Sequence, residues 1–108
     1  MRYGLPERTL LSLDSIFRGF SGIRQVILYG SRAKGCYREG SDIDITLKTD
    51  GSFTFDDLLH ISGAFDDSDI PYLVDVSVYE KLSNQDLISH IDRVGKTLWR
   101  RESGLEKE

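Results

Sequence analysis

Apolar residues recur at helical spacing in three segments of the chain. The first such stripe predicts a helix over residues 6–18, with Pro6 suited to its first turn. Two more stripes follow Thr54 and Ser83, each with an aspartate three residues later in the manner of a capping box, and they predict helices over residues 54–66 and 83–95. The stripe of the first helix consists of Leu10, Leu13, Ile16, Phe17 and Phe20.

The segments between these helices have the patterns of β-strands. Residues 25–29 form a continuous apolar run, which is typical of a strand at the centre of a sheet. Residues 43–48 and 72–79 alternate between polar and apolar, and residues 96–99 predict a final extended segment. We therefore expect an α/β (α+β) fold: a small mixed β-sheet, helices packed on one face, and an open face for an active site. Residues 1–101 are predicted to form one domain, and the charged residues 102–108 a disordered tail.

Carboxylates interrupt two of the predicted strands. Asp42 and Asp44 alternate with an isoleucine-rich face, so both are expected on the opposite face of the same strand. Because a carboxylate without a partner is unfavourable in an apolar environment, the isoleucine face is expected to meet the helices and the carboxylate face to stay open. Asp75 interrupts a valine-rich strand in the same way. Taken alone, it is equally well explained as a solvated residue or as a third member of the acidic group.

A basic, glycine-containing loop lies between the first two strands. Gly30 lacks a Cβ, so the backbone there can approach a ligand closely. Ser31 offers a hydroxyl and an N–H at a strand-to-helix turn, where free N–H groups attract anions. Arg32 and Lys34 add positive charge. Two carboxylates on one strand face repel each other, and a divalent cation would relieve the repulsion. An anion cradle beside a magnesium site suits a nucleoside triphosphate.

Composition and charge restrict the partners and the compartment. The chain has 108 residues with 39% hydrophobic and 30% charged residues, as in a compact globular domain. Its net charge of −4 argues against direct binding of a nucleic-acid backbone, which calls for a basic face. A single cysteine, Cys36, fits a reducing cytoplasm. No apolar run approaches the length of a membrane span, so no membrane association is expected.

Several other polar and aromatic residues have simpler interpretations. The acidic group Asp66, Asp67 and Asp69 follows a helix and is interpreted as solvated. His60 and His90 have no metal-ligand neighbour at a suitable spacing, so each is interpreted as a surface or packing residue. Trp99 near the end of the chain is more often a core residue than part of a partner surface.

The segment GSRAKG, followed after five residues by SDIDI, resembles the signature of the minimal nucleotidyltransferase (MNT) domain. This domain belongs to the DNA polymerase β-like nucleotidyltransferase superfamily and is often encoded beside a HEPN-domain protein, as antitoxin and toxin. The resemblance implies the nucleotidyltransferase fold, ATP as donor and two Mg²⁺ ions. In this sequence the implied metal-binding and catalytic residues are Asp42, Asp44 and Asp75, and the implied nucleotide-binding residues are Gly30, Ser31, Arg32, Lys34 and Ser41.

The resemblance also implies a reaction: Mg-dependent transfer of AMP from ATP to a hydroxyl, most simply a tyrosine, of a partner HEPN toxin, which silences the toxin. Because so short a chain lacks a substrate domain, a second protein is expected to supply the acceptor, and the chain is expected to form a homo- or hetero-oligomer. Two alternatives remain open. One is a binding module that neutralises its partner by occlusion. The other is a small-molecule nucleotidyltransferase of the antibiotic-modifying type, although such enzymes normally have an additional domain.

Overall fold

The computed structural model describes residues 1–106. Within this range the chain forms helices and strands in an order close to the predicted one, and no helix there is both long and apolar enough to cross a membrane. The elements are α1 (Glu7–Arg18), β1 (Ile23–Tyr29), α2 (Gly30–Lys34), β2 (Ile43–Thr49), α3 (Phe55–Asp67), β3 (Val74–Val78), a 3₁₀ helix (Tyr79–Lys81), α4 (Gln85–Val94), β4 (Lys96–Arg100) and β5 (Gly104–Leu105).

The strands form one mixed sheet in the order β3-β2-β1-β4-β5. The β2 and β3 strands are parallel, joined by a crossover that contains α3, and the other neighbours are antiparallel. β1 is the central strand, as its continuous apolar run predicted. The predicted mixed α/β fold is therefore confirmed, with β3 at one edge of the sheet.

Helices α1 and α3 cover one face of the sheet. The isoleucine face of β2 and the valine face of β3 both pack there, as the alternation in the sequence predicted. Phe17 is fully buried and contacts Phe65 edge-on and Trp99 at a ring-centroid distance of 5.6 Å. Trp99 is fully buried as well, which confirms its interpretation as a core residue.

Helix α4 lies on the opposite face, which corrects the expectation that the helices pack on one face only. Its Ile91 packs against Ile27 and Tyr29 of β1, whose side chains point away from α1 and α3. A Cβ on Gly95, just after α4, would collide with Ile27, so the helix end lies directly against the strand. The face of the sheet that carries Asp44 and Asp75 thus has α4 along one side.

The helix starts follow the predicted capping with one exception. Thr54 and Asp57 form a reciprocal capping box at the start of α3, with Thr54 Oγ1 accepting from the Asp57 N–H at 3.1 Å. At α4 the cap is Asn84, whose side-chain oxygen accepts from two N–H groups, and not the predicted Ser83. Both residues are good caps, and the chain starts the helix one residue later than expected.

The predicted tail is partly ordered. Gly104 and Leu105 form β5 against β4, and the Glu106 N–H donates to the Leu98 carbonyl at 2.9 Å. This differs from the expected disorder of residues 102–108, because the polar sequence pairs through its backbone. Residues 107 and 108 lie outside the described residues.

The C-terminal strand region also holds α1 in place. Trp99 Nε1 donates to Asp14 Oδ1 at 2.8 Å. Beyond β4, the guanidinium of Arg101 donates to backbone carbonyls at and after the end of α1, among them those of Phe17 and Phe20. Carbonyls at a helix end have no partner within the helix, so the partly buried Arg101 satisfies several of them at once.

Candidate active site

Three polar side chains form a row across the open part of the sheet. In the antiparallel ladder Tyr29 of β1 pairs with Asp44 of β2, and in the parallel ladder Asp44 pairs with Asp75 of β3. Neighbouring strands lie about 4.8 Å apart, so paired side chains on one face are direct neighbours. The structure therefore places Asp75 beside Asp44, on the face predicted from the sequence. Asp42 lies just before β2 and is exposed.

The carboxylates of this row repel one another. Burial, followed by the charges of Asp75 and Asp42, raises the pKa of Asp44 above its ordinary value, while His90 and Arg32 act in the opposite direction. Burial and the charges of Asp75 and Asp44 likewise raise the pKa of Tyr29. The site therefore disfavours negative charge and would be stabilised by a cation.

The turn after β1 lies directly against the first of these carboxylates. Gly30 has a φ of +73°, and a Cβ there would collide with Asp44 Oδ2. Both facts require glycine, because other residues rarely adopt this backbone conformation and none would fit. Ser31 follows in the first turn of α2 and is half-buried. The predicted phosphate turn and the predicted metal ligand are thus in contact.

Arg32 does not lie where the sequence suggested. Its side chain is only 2% exposed, and its guanidinium donates to the Ser41 carbonyl at 2.7 and 3.2 Å and to the Tyr3 carbonyl at 2.9 Å. It also stacks on the rings of Tyr72 and Tyr37, at 4.7 and 5.5 Å from their centroids. These contacts use the guanidinium inside the protein, so the expectation that Arg32 faces the triphosphate is corrected.

The remaining predicted nucleotide-binding residues take two different positions. Ser41 accepts the Arg38 N–H on its hydroxyl at 2.8 Å, in addition to the contacts of its carbonyl with Arg32. It therefore organises the loop that leads into β2. Lys34 is exposed at the C-terminal end of α2 and extends the basic loop.

His90 is a candidate site residue that the sequence interpretation missed. It is half-buried on α4, and its ring meets Tyr29 edge-on, with centroids 6.1 Å apart and an interplanar angle of 82°. α4 also packs against α2, beside the Gly30 turn. One sequence feature could have indicated this placement: Ile27 and Tyr29 are apolar on the face opposite Val26, so a second layer had to cover them.

The carboxylates match the chemistry of a magnesium site without forming a complete one. Among residues 1–106, no three His, Cys, Asp or Glu side chains are grouped closely enough to hold a metal by themselves. Mg²⁺ prefers oxygen ligands, and in enzymes of nucleotides it typically uses one or two carboxylates together with substrate phosphates and water. Asp44 and Asp75, with Asp42 nearby, provide a donor set of this kind.

A wide groove in the described part of the chain lies apart from the acidic row. It is a groove of about 840 Å³ between the start of α3 and the edge strand β3. Phe53, Leu58, Val76 and Val78 contribute apolar walls, and the acidic row is absent from its lining. This groove is therefore separate from the carboxylates, which lie on the open face of the sheet.

The fold is shared with several solved structures. A toxin–antitoxin with AMP-PNP superposes with a TM-score of 0.69 at 21% identity, over 84% of this chain and 73% of that chain. A candidate nucleotidyltransferase from Sulfolobus solfataricus gives 0.56 at 28% identity, over 94% and 88%. A variant of the toxin–antitoxin MntA–HpeT gives 0.67 at 18% identity, over 84% and 72%. No curated protein matches the sequence.

The fold and the acidic row together define a nucleotidyltransferase-type domain. The sequence matches the family described as Polymerase beta, Nucleotidyltransferase over residues 12–104, and the chain belongs to this family. This confirms the resemblance drawn from the GSRAKG and SDIDI segments. Membership supports transferase activity in general.

Proposed function

We propose that this chain transfers AMP from ATP to a hydroxyl of a partner HEPN toxin, most simply a tyrosine, and thereby acts as an antitoxin in the cytoplasm. The observation that most supports this is the contact between the Gly30 turn and Asp44, with Asp75 next to Asp44. The turn proposed to bind the phosphates is therefore next to the carboxylates proposed to bind the accompanying cations.

In the proposed reaction, Gly30 and Ser31 hold the β- and γ-phosphates through the backbone and the serine hydroxyl. The acceptor oxygen attacks the α-phosphorus, the bond from that phosphorus to the bridging oxygen breaks, and pyrophosphate leaves. Asp75 takes the proton of the acceptor hydroxyl, because it is exposed at the outer end of the row. Arg32 keeps the turn and the start of β2 in register through Ser41.

Asp42, Asp44 and Asp75 would hold Mg²⁺ in this site. When bound, the metal supplies neutralisation of the triphosphate and a lower pKa for the acceptor hydroxyl. Burial and the charges of Asp75 and Asp42 raise the pKa of Asp44, and a bound cation would offset both effects, which supports this assignment.

A protein acceptor is supported by the form of the site. β3 is an edge strand, and Leu73, two residues before Asp75, is 65% exposed. Exposed apolar groups of this kind are typical of surfaces that meet another protein. Two of the structures that share the fold are toxin–antitoxins, one of them with AMP-PNP, which supports a toxin as the acceptor and ATP as the donor.

Label transfer tests the proposal. The purified chain and the protein encoded beside it are incubated with Mg²⁺ and ATP labelled at the α-phosphate or at the γ-phosphate. Label on the partner from the α-position alone is the expected result, and peptide mapping then identifies the modified residue. Label from the γ-position alone would contradict nucleotidyl transfer.

Two variants complete the experiment. Asp44→Asn removes one carboxylate of the row and is expected to abolish transfer. Asp66→Asn makes the same chemical change in the exposed acidic group after α3 and is expected to leave transfer intact. Neutralisation of the partner by Asp44→Asn in the absence of any label, together with a stable complex on a sizing column, would favour occlusion over catalysis.

A further inference from the structure

The internal use of Arg32 removes one of the predicted phosphate-binding side chains from the proposed triphosphate site. The two groups that favour the charged form of Asp44 are Arg32 and His90. All three guanidinium nitrogens of Arg32 donate to backbone carbonyls, so this side chain has little capacity left for a ligand. Of these two side chains, His90 is therefore the one whose nitrogens are available to a ligand.

The imidazole of His90 is held in place and yet available. Its ring lies edge-on to Tyr29, the residue that pairs with Asp44, so it borders the acidic row. In the described part of the chain its ring nitrogens make no hydrogen bond, and no buried side-chain nitrogen or oxygen lacks a partner. The nitrogens therefore face solvent while the ring is fixed by packing.

The helix that carries His90 is anchored beside the phosphate turn. α4 packs on α2, and Ile91, the next residue, is buried against Ile27 and Tyr29. A side chain on an anchored helix loses little conformational entropy when it binds a ligand, so a hydrogen bond from it contributes more fully to affinity.

We propose that His90 is a further substrate-binding residue of this site and that its imidazole donates an N–H to a phosphate oxygen of the nucleoside triphosphate. The inference rests on the proposed function, because it takes the ligand to be a triphosphate at the Gly30 turn. It assigns to α4 the phosphate-binding role that the sequence suggested for Arg32.

Nucleotide affinity of three variants tests this role. His90→Phe keeps a ring against Tyr29 and removes both nitrogens, whereas His90→Gln keeps an N–H donor. His60→Phe makes the same change on α3, across the sheet, where the side chain is exposed. Titration calorimetry with Mg-ATP and with Mg-tripolyphosphate gives the affinities, and thermal melts confirm that each variant is folded.

His90→Phe is expected to weaken both ligands about tenfold, as the loss of a hydrogen bond to a charged oxygen does. His90→Gln should recover most of this loss, and His60→Phe should bind like the wild type. Wild-type affinity in His90→Phe would overturn the inference and leave the proposed function standing. Weakening of ATP without weakening of tripolyphosphate would overturn the phosphate contact. A wild-type chain that binds neither ligand would overturn the proposed function itself.

Discussion

Asp44 and Asp75 are paired neighbours on the parallel strands β2 and β3, and each lies in the field of the other. Like charges directly opposite one another in a sheet are destabilising. The fold thus accepts an unfavourable contact at the position where a nucleotidyltransferase needs carboxylates. Stability and chemistry are expected to oppose each other at these two residues, and this can be measured.

The Asp44→Asn variant is expected to melt a few degrees higher than the wild type at pH 7 without metal. The folded protein raises the pKa of Asp44 above the ordinary 3.8, so the folded state holds this proton more tightly than the unfolded state. Wild-type stability therefore falls as the pH rises from about 3.8 through the raised pKa, and the variant escapes this loss. Melting curves from pH 3 to pH 8 should show a difference that disappears at the acidic end.

Glu39→Gln is the control for this experiment, because it removes the same charge from an exposed loop position. Glu39→Gln should change the melting temperature little anywhere between pH 3 and pH 8. A gain of equal size in Glu39→Gln would mean that the net charge of the chain sets the effect, and not the burial of Asp44 and its contact with Asp75.

Added Mg²⁺ is expected to raise the melting temperature of the wild type. A ligand that binds only the folded state stabilises it by RT ln(1 + [L]/Kd), so the shift should grow with concentration. Asp44→Asn and Asp75→Asn should each lose most of the shift, because both carboxylates face the same open surface. Sodium chloride at matched ionic strength separates binding from screening. Equal shifts in all three proteins would contradict a metal site at the acidic row.

Gly30→Ala is expected to be more harmful than Gly35→Ala. Both glycines have a positive φ, +73° and +86°, so alanine meets a similar backbone penalty of about 1–2 kcal/mol at each. At Gly30 the new Cβ also collides with the Asp44 carboxylate, whereas nothing lies within 4 Å of it at Gly35. Chemical denaturation should therefore show a larger loss for Gly30→Ala, and nucleotide binding should weaken only there. Equal losses would mean that the turn can move away from Asp44.

Arg32→Met is expected to lower the free energy of unfolding by about 2–4 kcal/mol, because the partly buried Ser41 carbonyl loses both guanidinium donors and the buried Tyr3 carbonyl loses its donor. Arg32→Lys should recover only part of this, since one ammonium cannot span the Ser41 and Tyr3 carbonyls while stacking on two rings. Lys34→Met, at an exposed position, should be near neutral. Denaturant titration distinguishes them, and a neutral Arg32→Met would contradict a structural role for this arginine.

The faces of β2 and β3 could be predicted because their alternation is a property of the residues themselves. Isoleucine and valine at every second position define a buried face, and the aspartates between them must then share the other. The partners of Arg32 could not be predicted in this way. They are the carbonyls of Tyr3 and Ser41, and backbone carbonyls are the same in every sequence.

The face of the sheet that α4 covers could not be predicted from the helix pattern either. An amphipathic stripe shows that a helix packs on something, but it does not state which side of the sheet it covers. The apolar residues Ile27 and Tyr29, on the second face of β1, contained that information. His90 became a candidate only when this face was assigned, because its position on α4 has no meaning for a site until α4 is placed.

The hydrogen bonds from Arg101 to the end of α1 have a consequence for folding during translation. The helix it holds leaves the ribosome well before its partners, because 85 positions separate Asp14 from Trp99 and 84 separate Phe17 from Arg101. The central strand β1 also lacks its second neighbouring strand until β4 has been translated. Gly30, Asp44 and Asp75 are therefore all translated before β4, and the nascent chain can fix its site only after β4 has joined the sheet.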